Sequence, residues 1–561
     1  MEARNRTLTD WFPRIRTGQV LLPRFQRHEA WTHREVASLL ESVLRGLPTG
    51  AALTLDIGDV PPFHARPIVG APEPTERVSE HLLDGQQRLT ALWRALHDDY
   101  DDRTYLIGLE HDEDDNDQVV VRGEPRYSKK GVRYPLWVDE PKDCWTRGWI
   151  PIRLCSPDAD RAETKQWASA ATDEFDATLN LIETVNNYSS IIGSFNIPFL
   201  GLPVGTSRDT ALDVFIKMNT SSVKLSSFDI VVAQYEAATG RSLHDQLSDM
   251  TAAVPRVSEY RDAENLLLDV ASLREDRAPS QSSYRRLDLE LLADDFDDIS
   301  EGVKFAIDTL ENEAIFDSDR LPTVAVLPIL GALHHHVPKF GDERGNALAL
   351  IRSYLWRAFT TSRYESSAGT RALQDLRGLV AALNGQANNA PIFDEDEFRL
   401  PGVGELTRTR WPKSREILAR AVLCATLRRG AIDLADGARA APSNMKTREY
   451  HHLFPDAYLE KNTDLGRGQI YTGLNCSLIT WATNRRIGAK PPLVYLQERV
   501  DQANLGEGEI RKRLESHLIP WDEFASPGPD VAASYAAFLE ARAELVSAYL
   551  YELCHGREPN G

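Results

Sequence analysis

At 561 residues the chain is too long for one ordinary domain and should fold as two to four. With 42% apolar and 26% charged residues, it is neither a membrane-spanning nor a disordered chain. A formal charge of -20 argues against a protein that coats nucleic acid non-specifically, since phosphate neutralisation normally needs a basic surface. Five scattered cysteines without a CxxC pair speak against a disulfide framework or a cysteine-rich zinc site. With no signal-like apolar stretch at the N-terminus, they fit a reducing cytoplasm.

In chain order, "THREVASLLESVLRGLP" places Val36, Leu39, Leu40, Val43 and Leu44 at helical spacing. Thr32 is the expected N-cap, and Gly46 with Pro48 the stop. "AALTLDIG" (51–58) and "HLL" (81–83) read as strands, and the second runs into the helix of "DGQQRLTALWRALHD". Strand, tight turn and helix in succession point to an α/β domain. Residues 101–160 carry no clear pattern; "FNIPFLGLPV" (195–204) reads as a strand and "DTALDVFIKMN" (209–219) as a helix. From about 235 to 430 the texture is helical, with the interval 383–407 as the expected linker. The expected class is α+β and multidomain: an α/β domain over 1–240, a helical middle over 241–407, and a C-terminal module over 408–561.

Two stretches carry chemistry. "LLDGQQRLTAL" (82–92) ends a strand at Leu83, puts Asp84 at the N-cap, and lets Gly85 turn. Gln86, Gln87 and Arg88 then fall in the first helical turn, where free N–H groups and an arginine fork favour an anion. A capped helix with a surface arginine explains the same residues equally well. The second stretch is "EYHHLFPDAYLEKN" (449–462), entered through a basic segment between Arg408 and Lys446. It is followed by "LNCSLIT" as a strand and "WATNRRIG" as a short helix. Strand with His451 and His452, strand with Asn475 and helix with Asn484 are the parts a single-metal phosphodiesterase needs. Successive strand residues point to opposite faces, so both imidazoles reach one site only if the strand ends or twists near Pro455. The triplet in "HHHVP" (334–338) reads as packing.

"YHHLFPDAYL", the Asn of "GLNCSL" and "TNRRIGAKPPLVYL" resemble the HNH, or ββα-metal, nuclease module of GmrSD-type (type IV) restriction enzymes. "LPRFQRHEAW", "SLLESVLRGLPTG", "LLDGQQRLTAL" and "VFIKMNTSSVKLSSFDIV" resemble their N-terminal "DGQQR" domain, a ParB/sulfiredoxin-like module. By position, the resemblance implies His451 and Asn484 as metal ligands, His452 as general base and Asn475 as its orienting partner. It departs at His451, where such enzymes often carry Asp or Glu. It also implies a nucleotide site from Gln26, Arg27, Asp84, Gln86, Gln87, Arg88 and Asn219, and flanking phosphate contacts from Arg485, Arg486 and Lys490. The expected cofactors are a divalent metal, Mg²⁺ or Mn²⁺, and a nucleoside triphosphate (GTP, ATP or CTP). The expected partner is DNA, in particular modified phage DNA, with a homodimer or other defence-system subunits as further partners and no membrane. The implied activity is metal-dependent endonucleolytic cleavage in phage defence, with an accompanying NTPase. Two alternatives stay open: a nucleotide-switched binding protein or scaffold with an inactive HNH module, and an abortive-infection nuclease acting on unmodified DNA or RNA.

Overall fold

The computed structural model describes residues 2–26, 31–108, 119–128, 131–219, 226–488, 490–502, 506–525 and 528–559. The chain is mixed α and β and divides into two compact units, Met1–His244 and Asp245–Gly561. Among the described residues no helix is long and apolar enough to cross a membrane.

The first unit is built on two sheets. The larger uses β1 (Glu2–Arg4), β2 (Val20–Pro23), β3 (Ala52–Asp56), β4 (Ala65–Arg66) and β5 (Glu80–Asp84). The smaller, β6 (Arg103–Gly108), β7 (Val121–Pro125) and β8 (Trp149–Pro151), arises from the stretch whose sequence showed no pattern. β9 (Phe199–Leu202) returns to the larger sheet, giving the order β1-β9-β3-β5-β2-β4. β5 is central there, parallel to β2 and antiparallel to β3. Helix His33–Leu44 starts at Thr32, whose N–H and hydroxyl both meet Glu35 in a capping box. Its apolar face joins Leu8, Trp11, Phe12, Leu89, Leu92 and Trp93 in the core. A buried bidentate pair, Arg6 to Glu80 at 2.7 and 2.9 Å, ties the N-terminal segment to β5.

β5 passes into helix Gln86–Leu96 through Gly85, which caps the helix at φ 96°. Asp84 is therefore the last strand residue and not the N-cap. A Cβ on Gly85 would also lie 3.0 Å from the Ala52 Cβ, so the turn needs glycine twice over.

The second unit holds the helical stretch and the C-terminal segment together in one body. Helix Val326–Leu333 is buried along its whole length, and helix Phe296–Asn312 lies close against it: a Cβ on Gly302 would fall 2.4 Å from the Gly331 carbonyl oxygen. Residues 383–407, expected to be a linker, are packed. Ala390, Ile392, Phe398 and Leu406 are buried, and the Ile392 N–H donates to Asp375 at 3.2 Å. The polar composition of the interval hid these four anchors.

β10 (Arg448–His452) and β11 (Cys476–Thr480) form an antiparallel hairpin, and helix Trp481–Ile487 follows β11 directly. Two buried charged groups hold this hairpin. The Asp433 carboxylate accepts from the Thr480 N–H at 2.6 Å and the Thr483 hydroxyl at 2.5 Å, fixing the start of the helix. Arg542, fully buried on helix Val531–Cys554, donates to the carbonyls of Leu474, Cys476, His517 and Leu518. All five cysteines are buried thiols.

Candidate active site

The register pairs His451 with Ser477 and His452 with Cys476. The strand keeps its two-residue period, so the imidazoles take different surroundings. His451 shares a face with Glu449. Its Nδ1 lies 2.8 Å from Asn484 Oδ1, and the Asn484 NH₂ donates to Glu449 Oε2 at 2.8 Å. His452 is gripped by rings: it stacks on Trp411 at 4.1 Å and meets Tyr471 edge-on at 4.4 Å. Trp411 also approaches Tyr450, which lies on the same strand face as His452.

Burial lowers the His451 imidazole to about 4, with the Asn484 contact opposing, so the ring is neutral at physiological pH. Burial lowers His452 as well, and the nearby Asp456 carboxylate works against it. Burial alone would raise the Asp456 carboxyl. The Ala457 N–H and the Tyr471 hydroxyl, at 2.9 Å each, bring it below the ordinary value.

Asn475 does not orient His452. Its carboxamide oxygen accepts from the Phe454 N–H at 2.8 Å, and its NH₂ donates to the Phe454 and Ile470 carbonyls at 3.0 and 3.1 Å. It is fully buried and staples the turn after β10 to the segment before β11. Trp411, Tyr471 and Asp456 take over the surroundings of His452, and only Asp456, next to Pro455, lies near the motif in sequence. Glu449 was findable, because a residue two before His451 must share its face.

The residues fit a divalent ion. His451 and His452 each keep a buried Nε2 without a hydrogen-bond partner. His451 Nδ1 and Asn484 Oδ1 are hydrogen-bonded at 2.8 Å, Nδ1–H donating to the carboxamide oxygen, and an ion held by both atoms would replace that proton. A neutral imidazole and a carboxamide oxygen are both competent donors. Among the described residues, one group of three His, Cys, Asp or Glu side chains is close enough to share an ion, Asp298, Glu301 and His334, and it lies elsewhere. There His335 pairs with Asp298 at 3.0 Å, which absorbs part of the histidine triplet into local contacts.

Of the residues expected to touch flanking phosphates, Arg485 is exposed and lies 3.8 Å over the exposed Trp481 ring. Arg486 and Lys490 line one cleft with Tyr495 and Glu498, and Lys490 is paired to Glu498 at 2.7 Å.

In the first unit, Gln26, Asp84, Gln86, Gln87 and Arg88 gather at the end of β5. Buried Gln26 donates to the Leu82 and Leu83 carbonyls at 2.6 and 3.0 Å. The Arg88 fork donates to the Thr49 and Ala51 carbonyls, both at 2.8 Å, and lies 3.4 Å from Asp84. It pins the chain ahead of β3 and is not a free phosphate clamp. Gln86 is buried and Gln87 half-buried. Arg27 lies outside the described residues, as does the side chain of Asn219.

Residues 8–236 match the family model "GmrSD restriction endonuclease, N-terminal domain". The matched stretch lies in the first unit, which is similar to that domain, and the cluster at β5 falls within the match. An uncharacterized protein of Methanocaldococcus jannaschii is 22% identical over 605 aligned positions, covering 98% of each chain.

Proposed function

We propose that this chain is a metal-dependent DNA endonuclease of the restriction type. The β10–β11 hairpin and its helix cut phosphodiesters, and the GmrSD-type domain binds a nucleoside triphosphate that controls cutting. The supporting observation is the meeting of His451 and Asn484 at 2.8 Å, with the Nε2 of the His451 ring buried and without a hydrogen-bond partner among the described residues. His451 and Asn484 would hold the ion, Mg²⁺ or Mn²⁺. When bound, it supplies positive charge to a phosphate oxygen and the departing oxygen. His452 takes the proton of the attacking water, its ring held by Trp411 and Tyr471, and the imidazolium so formed is favoured by Asp456. Arg485 and Arg486 meet neighbouring phosphates. The target is DNA bearing a modification characteristic of phage.

His452→Ala is expected to abolish nicking of supercoiled plasmid in Mg²⁺ or Mn²⁺ with unchanged thermal unfolding. Undiminished nicking removes this assignment. Comparing modified DNA, unmodified DNA and RNA as substrates tests the target. One observation favours a second reading, a binding protein whose nuclease module is silent: His451 and His452 point to opposite faces of β10. Under that reading the wild-type chain binds Mn²⁺ weakly or not at all and cuts nothing.

A further inference from the structure

The two ends of the Asn484 carboxamide are not equivalent. An ionised carboxylate only accepts hydrogen bonds, so Glu449 can meet Asn484 only at its NH₂ group. That contact, at 2.8 Å, turns Oδ1 toward His451. The orientation matters chemically. A carboxamide coordinates a hard cation through oxygen, and a flipped Asn484 would present NH₂ to the imidazole and offer no ligand atom. Glu449 can do this because it lies two residues before His451 on β10, on the same face of the strand. It also places a negative charge beside a ligand pair that is itself neutral.

We infer that Glu449 is a positioning residue that holds Asn484 with its oxygen facing His451 and thereby sets the affinity of the site for a divalent cation. The inference rests on the nuclease reading of the hairpin. Glu449 is exposed and its carboxylate bonds Asn484, so Glu449→Ala is expected to unfold at the wild-type midpoint.

The test is Mn²⁺ titration of the full chain, following the free-ion electron paramagnetic resonance signal. Glu449→Ala is expected to weaken Mn²⁺ binding by roughly 10- to 100-fold. Glu449→Gln, whose carbonyl can still accept from the Asn484 NH₂, is expected to recover most of the loss. The inference is overturned if Glu449→Ala binds as tightly as wild type while Asn484→Ala does not. It is also overturned if Glu449→Gln is as weak as Glu449→Ala. If His451→Ala and Asn484→Ala both keep wild-type affinity, the metal reading of the hairpin falls and takes this inference with it.

Discussion

His81 is the second residue of β5, fully buried, with neither ring nitrogen hydrogen-bonded among the described residues. Burial pushes its imidazole down to about 4, against an ordinary value of 6.5. The folded ring is neutral, while the unfolded ring takes a proton below 6.5. Its contribution to stability is therefore complete above pH 6.5 and lost as pH falls toward 4, up to about 3 kcal/mol. Urea unfolding of His81→Leu between pH 7 and 4.5 should show a shallower acid decline than wild type; parallel declines would discount His81. Glu236 behaves in the opposite sense. Burial raises its carboxyl to about 7, with the His64 N–H opposing. It therefore favours the folded state below its ordinary value, and that advantage fades as pH rises through 7.

At the scale of elements, the hairpin is held by groups that sequence patterns do not connect. Asn475 satisfies one N–H and two carbonyls of the chain around it. Asn475→Ala strands these groups in a dry interior, at a cost of roughly 2–4 kcal/mol. A clear fall in the midpoint of thermal unfolding is the expected result, and it separates this variant from His452→Ala, which should lose activity alone. An unchanged midpoint would return Asn475 to a chemical role. Two basic residues ahead of the hairpin, and Arg448 at the start of β10, are committed internally. Arg428 pairs with Glu313 and Glu558, Arg420 donates to the Leu321 carbonyl, and Arg448 donates to three carbonyls. Arg408, Arg410, Lys413, Arg415, Arg439 and Lys446 remain exposed, as do Arg485 and Arg486 on the helix bearing Asn484.

For the whole molecule, the proposal couples a nucleotide site in the first unit to cleavage in the second. Arg88 is a poor probe of that coupling, because its loss also frees the Thr49 and Ala51 carbonyls. Asp84 is better, being half-buried at the strand end with one ion pair of 3.4 Å. Asp84→Ala should weaken nucleotide binding by calorimetry and reduce the effect of nucleotide on DNA cutting, with metal binding at the hairpin preserved. If GTP, ATP and CTP all fail to bind the wild-type chain, the regulatory half of the proposal is lost and the nuclease half still stands.

The sequence by itself determined the local elements near both sites. Helical spacing and a capping box placed His33–Leu44, and strand-then-helix patterning placed β5, β11 and the helix carrying Asn484. These features depend on neighbours within a few residues, which a linear pattern records. Tertiary structure alone decided who touches whom. It put Trp411 and Tyr471 around His452, turned Asn475 toward the backbone and committed Arg88 to carbonyls. It also packed residues 383–407 and buried Arg542 behind β11. The reason is that burial and hydrogen-bond satisfaction are settled between segments tens of residues apart, where a side chain's identity says what it can bond but not which partner it will meet.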